Sequence, residues 1–521
     1  MECKGIGLIL CYDQFLMLLY RFRWVFCQLD ALRHCIPPNL RQYLDELPDT
    51  LDETYDRILK GISKAQKHNA HRLLQCLTVA SRPLLVEELA ELLAFDFQAS
   101  TVEGIPTLKE DWRWDDQEEA VLSTCSSLIT IIPRNGSRVV QFSHFSVKEY
   151  LTSSRLALSS HGEVSRFRID LEPAHTIMAQ ACLATLLQLD EHAGKDANGS
   201  PLVKYAAEYW VDHAQFENVS SRVRDGIDDL FDNSKPHFEA WLKVHDIDKS
   251  WSFFSPYSDG VGAQLYYAAF CGFYDLVERL IMEHPEQVNA RGGRNLFPLP
   301  AALYKRHLHV ANLLHSHGAV VDARGYAERT PLHAASFEGC VDIMRWLLDH
   351  GADANTQARY NFTPLFYAAY NMHFEAVQVL VNHNADINSQ NYCGETPLCG
   401  AFAMYVSTKW EGRAVKVVCH LLEHGADPNI RKHSDLSTAL HLASSRGWLE
   451  VARLLLSYGA KVDGKDGWAK TPFQWAASNG HLEMTKLLLE NGAVSEPYFE
   501  PYSSSGQPPR RTQSFSYSPL A

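Results

Sequence analysis

From about residue 261 onward, apolar and polar positions recur with a period of roughly 33 residues, within the range typical of stacked repeat architectures. One position holds Thr in the best units, and its spacing is nearly constant except for one longer interval between Thr396 and Thr438. The residues at this position are Ala263, Phe297, Thr330, Thr363, Thr396, Thr438 and Thr471. A second landmark, usually Gly, follows each Thr position at a fixed distance in five of the units, and an insertion before Gly425 explains the one long interval. The pattern predicts seven copies of one structural unit.

Each unit predicts two short helices and a connecting hairpin. Thr330 can accept orphan amide protons at a helix start, and Pro331 loses no hydrogen bond at the first helical position. Gly339 suits the left-handed end of this first helix. The second helix carries an apolar stripe with helical spacing, and residues 355–362 are long enough for a hairpin finger. Such a short helix pair cannot bury its stripe alone, so we expect the copies to stack into one core.

These residues resemble the ankyrin repeat. The matching segments are Thr330-Pro331-Leu332-His333, Gly351-Ala352-Asp353, Gly425-Ala426-Asp427 and Gly480-His481-Leu482-Glu483. The resemblance covers 261–496 in seven copies and implies an α-solenoid with hairpin fingers. Two copies are degenerate: Pro285 stands in place of the closing Gly in the first, and Arg306 in place of the inter-helix Gly in the second. We expect looser packing in those two copies, or contacts to the preceding domain.

Upstream of the repeats, the pattern predicts helices around a single hairpin. The predicted helices are 40–62, split by Pro48, then 72–80, 86–95, 115–125, 146–156, 175–189, 205–213 and 238–244. Strands at 128–132 and 138–142 flank the turn dipeptide Asn135-Gly136. Three helices followed by a two-stranded wing predict a winged-helix domain.

The predicted fold class is mainly α, with a helical and winged-helix module before an ankyrin solenoid. The predicted organisation is a helical linker at 1–65 with an atypical start at 1–21, a winged-helix-like domain at 66–160, a helical adaptor at 161–255, the repeats at 261–496 and a disordered tail at 497–521.

Three segments resemble the region that follows the nucleotide-binding domain in fungal NACHT-ankyrin signalling proteins. They are 22–29, 47–55 and 142–151, and the resemblance covers 22–156. It implies a signal-transducing NTPase family, with His144 similar to a histidine that contacts nucleotide phosphate. A histidine satisfied at a strand-to-helix junction is the alternative. The chain has no GxxxxGK[ST] loop; Gly194-Lys195, for example, is followed by Asp196 rather than by Ser or Thr. A truncated gene model and a natural fragment both explain the missing NACHT domain.

Composition narrows the possible partners. The 48 Lys and Arg against 62 Asp and Glu give a net charge of −14, which opposes binding to nucleic acid. Four acids at 115–119 lie on the helix that would enter a DNA groove, so DNA binding is the less favoured alternative. Scattered single cysteines indicate a reducing intracellular compartment, cytoplasmic with the nucleus not excluded. The apolar run at 5–20 is interrupted by Asp13, and we expect no membrane segment.

Histidines are the main candidates for catalytic or metal-binding residues. His307, His309, His315 and His317 crowd one repeat, but a separation of two residues points side chains to different faces of a helix. His317, His350 and His424 instead occupy equivalent places before the landmark, at helix ends. The chain carries no GxSxG, HExxH or cysteine-protease signature. We expect no catalysis, no cofactor and no metal.

The predicted binding site lies on the fingers and the inner helices. Tyr326, Tyr360, Tyr392 and Trp468 fall at hairpin tips, and Tyr370, Arg446 and Trp475 fall on the short first helices. Aromatic residues are enriched at binding hot spots, although each ring could instead pack on the neighbouring finger. The leading hypothesis is a non-catalytic protein that binds a partner protein through the concave face and fingers. The alternative is a regulatory half of a NACHT-type NTPase switch.

Overall fold

The computed structural model describes residues 50–97, 105–125, 127–157, 162–190, 199–248, 264–293, 297–403 and 411–495. Expectations for 1–49, for the anchor Ala263, for most of the insertion near 405–411 and for the tail lie outside these ranges. Contacts divide the chain into two compact units, 1–247 and 248–521. The finer boundaries derived from the sequence stay predictions. No helix within the described ranges combines the length and the apolar character needed to cross a bilayer.

The first unit contains twelve α-helices and five short strands among its described residues. In chain order they are α1 (Leu51–Gly61), α2 (Lys67–Val79), β1 (Leu84–Leu85), α3 (Val86–Leu93), β2 (Phe95–Asp96), β3 (Thr107–Leu108), α4 (Gln117–Cys125), β4 (Ile129–Arg134), β5 (Ser137–Phe142), α5 (Phe145–Thr152), α6 (Ser154–Ala157), α7 (Gly162–Ser165), α8 (Leu171–Leu186), α9 (Val203–Ala214), α10 (Val219–Arg222), α11 (Arg224–Leu230) and α12 (His237–Val244).

The wing is a tight hairpin. Strands β4 and β5 pair antiparallel from Ile129 opposite Phe142 to Arg134 opposite Ser137, and both turn residues adopt positive φ, as a type I′ turn requires. Strand β1 adds a third strand on β5, which the sequence did not predict. The predicted winged-helix order of three helices and a wing is confirmed, while the helix predicted at 146–156 is divided in two at Ser153.

Helix α1 begins with a capping box at Thr50. The Thr50 hydroxyl accepts the Glu53 main-chain N–H at 3.1 Å, and the Glu53 carboxylate accepts the Thr50 N–H at 3.3 Å. This reciprocal pair satisfies two amides that an isolated helix start leaves without partners. The helix then packs through Tyr55, whose hydroxyl lies 2.8 Å from the Ser146 hydroxyl at the start of α5.

The second unit contains seven helix pairs among its described residues. The pairs are α13 (Gln264–Cys271) with α14 (Tyr274–Glu283), α15 (Pro298–Tyr304) with α16 (Leu308–Ser316), α17 (Pro331–Glu338) with α18 (Val341–Asp349), α19 (Pro364–Tyr370) with α20 (Phe374–Asn382), α21 (Pro397–Gly400) with α22 (Glu411–Glu423), α23 (Ala439–Arg446) with α24 (Leu449–Ser457), and α25 (Pro472–Ser478) with α26 (Leu482–Glu490). The predicted solenoid of seven copies with fingers between them is confirmed.

The repeats stack in two helix layers. Most first helices contact the first helix of the next repeat, and most second helices contact the next second helix. At the first-helix end, Gly339 has φ +70°, and a Cβ there would lie 2.7 Å from the His373 ring of the next repeat. That ring also lies within hydrogen-bond distance of the Phe337 carbonyl, 3.0 Å from Nε2. The glycine is therefore required both by backbone conformation and by the approach of the neighbouring repeat.

A ladder of side-chain amides and carboxylates, which we call the Asn/Asp ladder, connects successive repeats. Its six members recur once in each of the first six units, with the same single long interval at the insertion. They are Asn289, Asp322, Asn355, Asn388, Asn429 and Asp463. Asn388 shows the full pattern, since it donates to the Gly425 carbonyl at 3.0 Å and accepts the Asp427 N–H at 2.9 Å. One side chain thus links two main-chain groups of the next repeat to the repeat that contains Asn388.

Two buried histidines, His333 and His441, each connect the start of the first helix in their own repeat to the finger that follows. The His333 Nδ1 accepts the Thr330 N–H at 3.1 Å, so Nε2 carries the proton and donates to the Phe362 carbonyl at 3.0 Å. His441 repeats this arrangement with Thr438 and Lys470, both at 3.1 Å. Burial lowers the pKa of His333 to about 3, and burial also lowers the pKa of His441. Both rings are neutral structural groups.

The stack is loosened between the second and third repeats. Helices α15 and α17 pack less closely than the preceding pair α13 and α15. A cavity of about 150 Å³ opens between them. Looser packing was expected at the two degenerate copies, and here it follows the second of them.

We expect Asp322→Asn to stabilise the array by about 1 kcal/mol. The Asp322 Oδ2 accepts the Asp353 N–H at 3.0 Å, but its buried Oδ1 has no hydrogen-bond partner. An amide NH₂ in that place would donate to the main-chain carbonyl that the other ladder members reach. Urea unfolding followed by circular dichroism measures the change. The matched variant Asn388→Asp should lose a similar amount, and a destabilised Asp322→Asn would contradict the ladder.

We expect the array to lose stability as pH falls from 6.5 toward 3. The folded state holds His333 neutral, with its pKa lowered to about 3, whereas the unfolded chain binds a proton near 6.5. The unfolded state therefore binds more protons in this window, and one such histidine contributes about 1.4 kcal/mol per pH unit.

The test is the slope of unfolding free energy against pH. His333→Gln keeps an acceptor for the Thr330 N–H, as Gln474 does for Thr471 at 2.9 Å, but has no titrating ring. The slope should fall in this variant and fall further when His441→Gln is added. An unchanged slope in both would show that these rings do not govern acid sensitivity.

Candidate functional site

The finger tips form an exposed aromatic surface on the array. Each tip is closed by a main-chain hydrogen bond of 2.8–3.0 Å, as between the Gly325 N–H and the Arg329 carbonyl or between the Asp466 N–H and the Lys470 carbonyl. The exposed side-chain fractions are 41% for Tyr326, 42% for Tyr360, 73% for Tyr392 and 57% for Trp468. These four predicted site residues are therefore accessible to a partner, and we call them the finger aromatics.

Main-chain hydrogen bonds also join one finger to the next. The Tyr392 N–H donates to the Tyr360 carbonyl at 2.9 Å, the His433 N–H to the Cys393 carbonyl at 2.7 Å, and the Gly467 N–H to the Asp435 carbonyl at 2.7 Å. These bonds fix the fingers in register without using the tip side chains. The exposed edge is preorganised, so binding costs little ordering entropy.

The finger aromatics are partly paired. The rings of Tyr360 and Tyr392 lie 6.3 Å apart between centroids at an angle of 56°, and the Arg359 guanidinium lies 5.0 Å from the Tyr360 ring centroid. Tyr360 and Tyr392 therefore lie side by side at neighbouring tips, as the predicted row of aromatics requires, and they also pack against each other, as the alternative requires. Tyr392 nevertheless keeps most of its surface in solvent.

The three predicted inner-helix residues are less available than expected. Tyr370 is only 8% exposed, because it packs with Phe366 and Tyr367 in a buried aromatic cluster. Its placement on the binding surface is corrected: the residue belongs to the core. Helical spacing put it on the inner face, but the aromatic residues one turn earlier cover it.

Arg446 and Trp475 are half-buried and hold neighbouring groups. The Arg446 guanidinium donates to the Phe402 carbonyl and lies 5.6 Å from the Trp448 ring centroid. The Trp475 indole N–H donates to the Asp466 Oδ2 at 2.8 Å. The same Asp466 accepts the Trp468 N–H at 2.9 Å. Trp475 therefore orients a finger rather than presenting a free surface.

The cavity between the second and third repeats belongs to this surface and was not predicted. Residues of helix α15, of the following finger and of helix α17 line it, and the lining is mostly apolar. Pro300, Leu303, Tyr304, Ala323, Gly325, Arg329, Ala334, Ala335 and Ile343 are among the lining residues. A cavity of about 150 Å³ lined by apolar groups admits a molecule the size of benzene. The small residues Ala323, Gly325, Ala334 and Ala335 are the sequence signal for such a space.

Several of the residues weighed for chemistry have structural partners, whereas the buried Nδ1 of His315 has no hydrogen-bond partner. His144 lies at the strand-to-helix junction, where its Nδ1 is 2.6 Å from the Ser146 hydroxyl, so the satisfied-histidine alternative describes its placement. His317 and His350 lie at helix ends, each with Nδ1 donating to the carbonyl four residues earlier, at 2.9 and 2.7 Å. Asp116, in the acidic run, accepts the N–H groups of Glu118 and Glu119 at 3.0 Å.

Comparison with known protein families supports both halves of the architecture. Models of ankyrin repeats match residues 265–358, 347–401 and 403–496. The winged helix domain of GPI inositol-deacylase matches residues 55–165. The chain therefore contains ankyrin repeats and a winged-helix domain of the GPI inositol-deacylase type. The match to NACHT-ankyrin proteins as such stays an interpretation of the sequence.

Three curated proteins illustrate the relationships. "Azaphilone pigments biosynthesis cluster protein L" of Monascus ruber is 32% identical over 300 residues, which cover 53% of this chain and 61% of that protein. "Serine/threonine-protein kinase 12" of Arabidopsis thaliana is 39% identical over 74 residues, 14% of this chain and 15% of the kinase. "Cyclin-dependent kinase inhibitor 2A" of Monodelphis domestica is 34% identical over 58 residues, 11% of this chain and 34% of the inhibitor. The matches span less than two thirds of each relative.

We expect Tyr370→Ala to lower the stability of the array far more than Tyr392→Ala, because Tyr370 is a core residue and Tyr392 a surface residue. Tyr370→Ala should destabilise the array by about 3 kcal/mol because it empties a packed aromatic cluster. Tyr392→Ala should change stability by less than about 0.5 kcal/mol because the ring is mostly solvated. Denaturant midpoints of the two purified variants measure both values. Equal losses in the two variants would contradict the assignment.

Proposed function

We propose that this protein is a non-catalytic interaction protein whose ankyrin array binds a partner protein in intracellular signalling. The observation that carries the proposal is the set of finger aromatics, which remain exposed, with Tyr360, Tyr392 and Trp468 on fingers tied together through their main chains. Ankyrin repeats are typical protein-binding modules, and the array accounts for most of the second half of the chain.

The chemistry of the surface indicates the kind of partner. Exposed phenol and indole rings offer flat apolar area with a polar edge, as binding hot spots do. The neighbouring cavity of about 150 Å³ is suited to one apolar side chain of the partner. Arg324 and Glu328 place both signs of charge beside the first of these tips. A partner with mixed apolar and polar groups therefore fits better than a strongly acidic or basic one.

A second function is favoured by the winged-helix domain. Such a domain precedes the repeats here, and the corresponding resemblance is to NACHT-type signalling NTPases. The chain could then act as the regulatory half of an NTPase switch, with the array sensing a partner. In this hypothesis the nucleotide site belongs to another polypeptide or to a longer form of the chain.

We expect replacing three of the four finger aromatics to abolish capture of the partner without unfolding the array. The variant combines Tyr360→Ala, Tyr392→Ala and Trp468→Ala, and the measurement is quantitative affinity capture from the native extract followed by mass spectrometry. Removing even one hot-spot ring can cost about 2 kcal/mol, or roughly thirtyfold in affinity. Circular dichroism checks that the variant is folded.

The matched control removes exposed apolar side chains from two second helices, through Tyr274→Ala and Leu482→Ala, and from the residue that follows helix α24, through Tyr458→Ala. A partner retained by the control and lost by the finger variant supports the proposed surface. Equal retention by both variants would reject it. An NTPase among the proteins specifically captured would favour the second function over the first.

A further inference from the structure

The C-terminal turn of helix α22 brings together three side chains that can ligate a metal ion. One ligand atom each from His420, Glu423 and His424 lies within 4.8 Å of the other two. The residues are spaced i, i+3 and i+4, which places them on one face of the helix. A tetrahedral ion with bonds of about 2.1 Å needs donors about 3.4 Å apart. The three groups therefore need to close by little more than an ångström.

Neither histidine uses its Nε2 atom in a hydrogen bond. The His424 Nδ1 donates to the His420 carbonyl at 2.8 Å, so its Nε2 holds a free lone pair. A ring nitrogen fixed on a main-chain carbonyl is the usual outer-sphere arrangement of metal-bound histidine. The His420 Nε2 is enclosed and has no hydrogen-bond partner. That unpartnered atom is a cost to the fold that a bound cation would remove.

The surroundings favour a cation at this place. The site lies at the last turn of a helix of 13 residues, where the main-chain carbonyls make positive charge favourable. The Cys419 thiol, 3.2 Å from the Glu423 Oε1, orients the carboxylate. Glu423 and His424 are exposed, so an ion can enter from solvent.

We propose that His420, Glu423 and His424 form a Zn²⁺ site with one open coordination position. Two imidazole nitrogens and one carboxylate oxygen suit Zn²⁺, whereas Mg²⁺ and Ca²⁺ prefer oxygen ligands alone. The open position would take water or a side chain of another molecule. The histidines at the repeat landmark alone predict no metal, because the residue one turn before His424 lies outside the repeat pattern.

The other repeats supply the comparison. His317, His350 and His383 occupy the place of His424, but the residues four positions earlier are Leu313, Trp346 and Val379. Each of these three histidines lies with Nδ1 within 2.9 Å of that residue's carbonyl. Helix capping therefore explains the landmark histidine in every case, and only this repeat adds both His420 and Glu423. His383→Ala is thus a matched control that removes a cap and no proposed ligand.

The test is titration of the purified full chain with ZnCl₂ by isothermal titration calorimetry in a buffer free of chelators. One site is expected in the wild type and in His383→Ala. His420→Ala and His424→Ala should each weaken that site by about tenfold or more, since even outer-sphere changes cost 10–100-fold in metal affinity. Glu423→Gln, which leaves both rings in place, should weaken it as well.

Two further measurements keep the result interpretable. Co²⁺ should give visible d–d absorption without a thiolate charge-transfer band in the wild type, which distinguishes this site from a cysteine site. Zn²⁺ should raise the thermal midpoint of the wild type and of His383→Ala but not of His420→Ala. Absence of zinc binding in the wild type, or binding unaffected by His420→Ala and His424→Ala, would overturn the proposal.

Discussion

The array depends on one constraint: each repeat must satisfy its polar main-chain groups and cover its apolar stripe by using the next repeat. The Asn/Asp ladder meets the first requirement, because each member reaches across to N–H or carbonyl groups of the following unit. The stacked helices meet the second. The same bonds that hold the repeats together also set the spacing of the fingers, and hence of the finger aromatics. Stability and the proposed recognition surface therefore have one physical origin.

The ladder also explains why small chemical differences between repeats matter. An amide both donates and accepts, whereas a carboxylate only accepts. Asp322 consequently leaves one buried oxygen without a partner at the connection to the third repeat. The loosened stacking of α15 on α17 and the cavity lie at the same connection. An incomplete polar contact and an incomplete apolar contact thus occur together, beside the first exposed finger tyrosine.

Local patterns in the sequence were sufficient for the repeated parts of the fold. Some residues determine the backbone conformation only of their immediate neighbours, so these conformations follow from residue chemistry. Examples are Thr330-Pro331, Gly339 and the turn at Asn135-Gly136. Strand β1 could not be found this way, because Leu84 and Leu85 become a strand only by pairing with β5, which lies far later in the chain. The predicted exposure of Tyr370 was wrong for a related reason. Helical spacing gives the face of a helix, but burial depends on which side chains from the same and neighbouring repeats cover that face.

The bonds between finger tips run from main chain to main chain, as between Tyr392 and Tyr360. Every amino acid except proline supplies the same donor and acceptor there. Evolution can therefore exchange the tip side chains one at a time while the scaffold that presents them persists. Related proteins that share this framework could diverge in the targets they select through a handful of substitutions, with little penalty in folding.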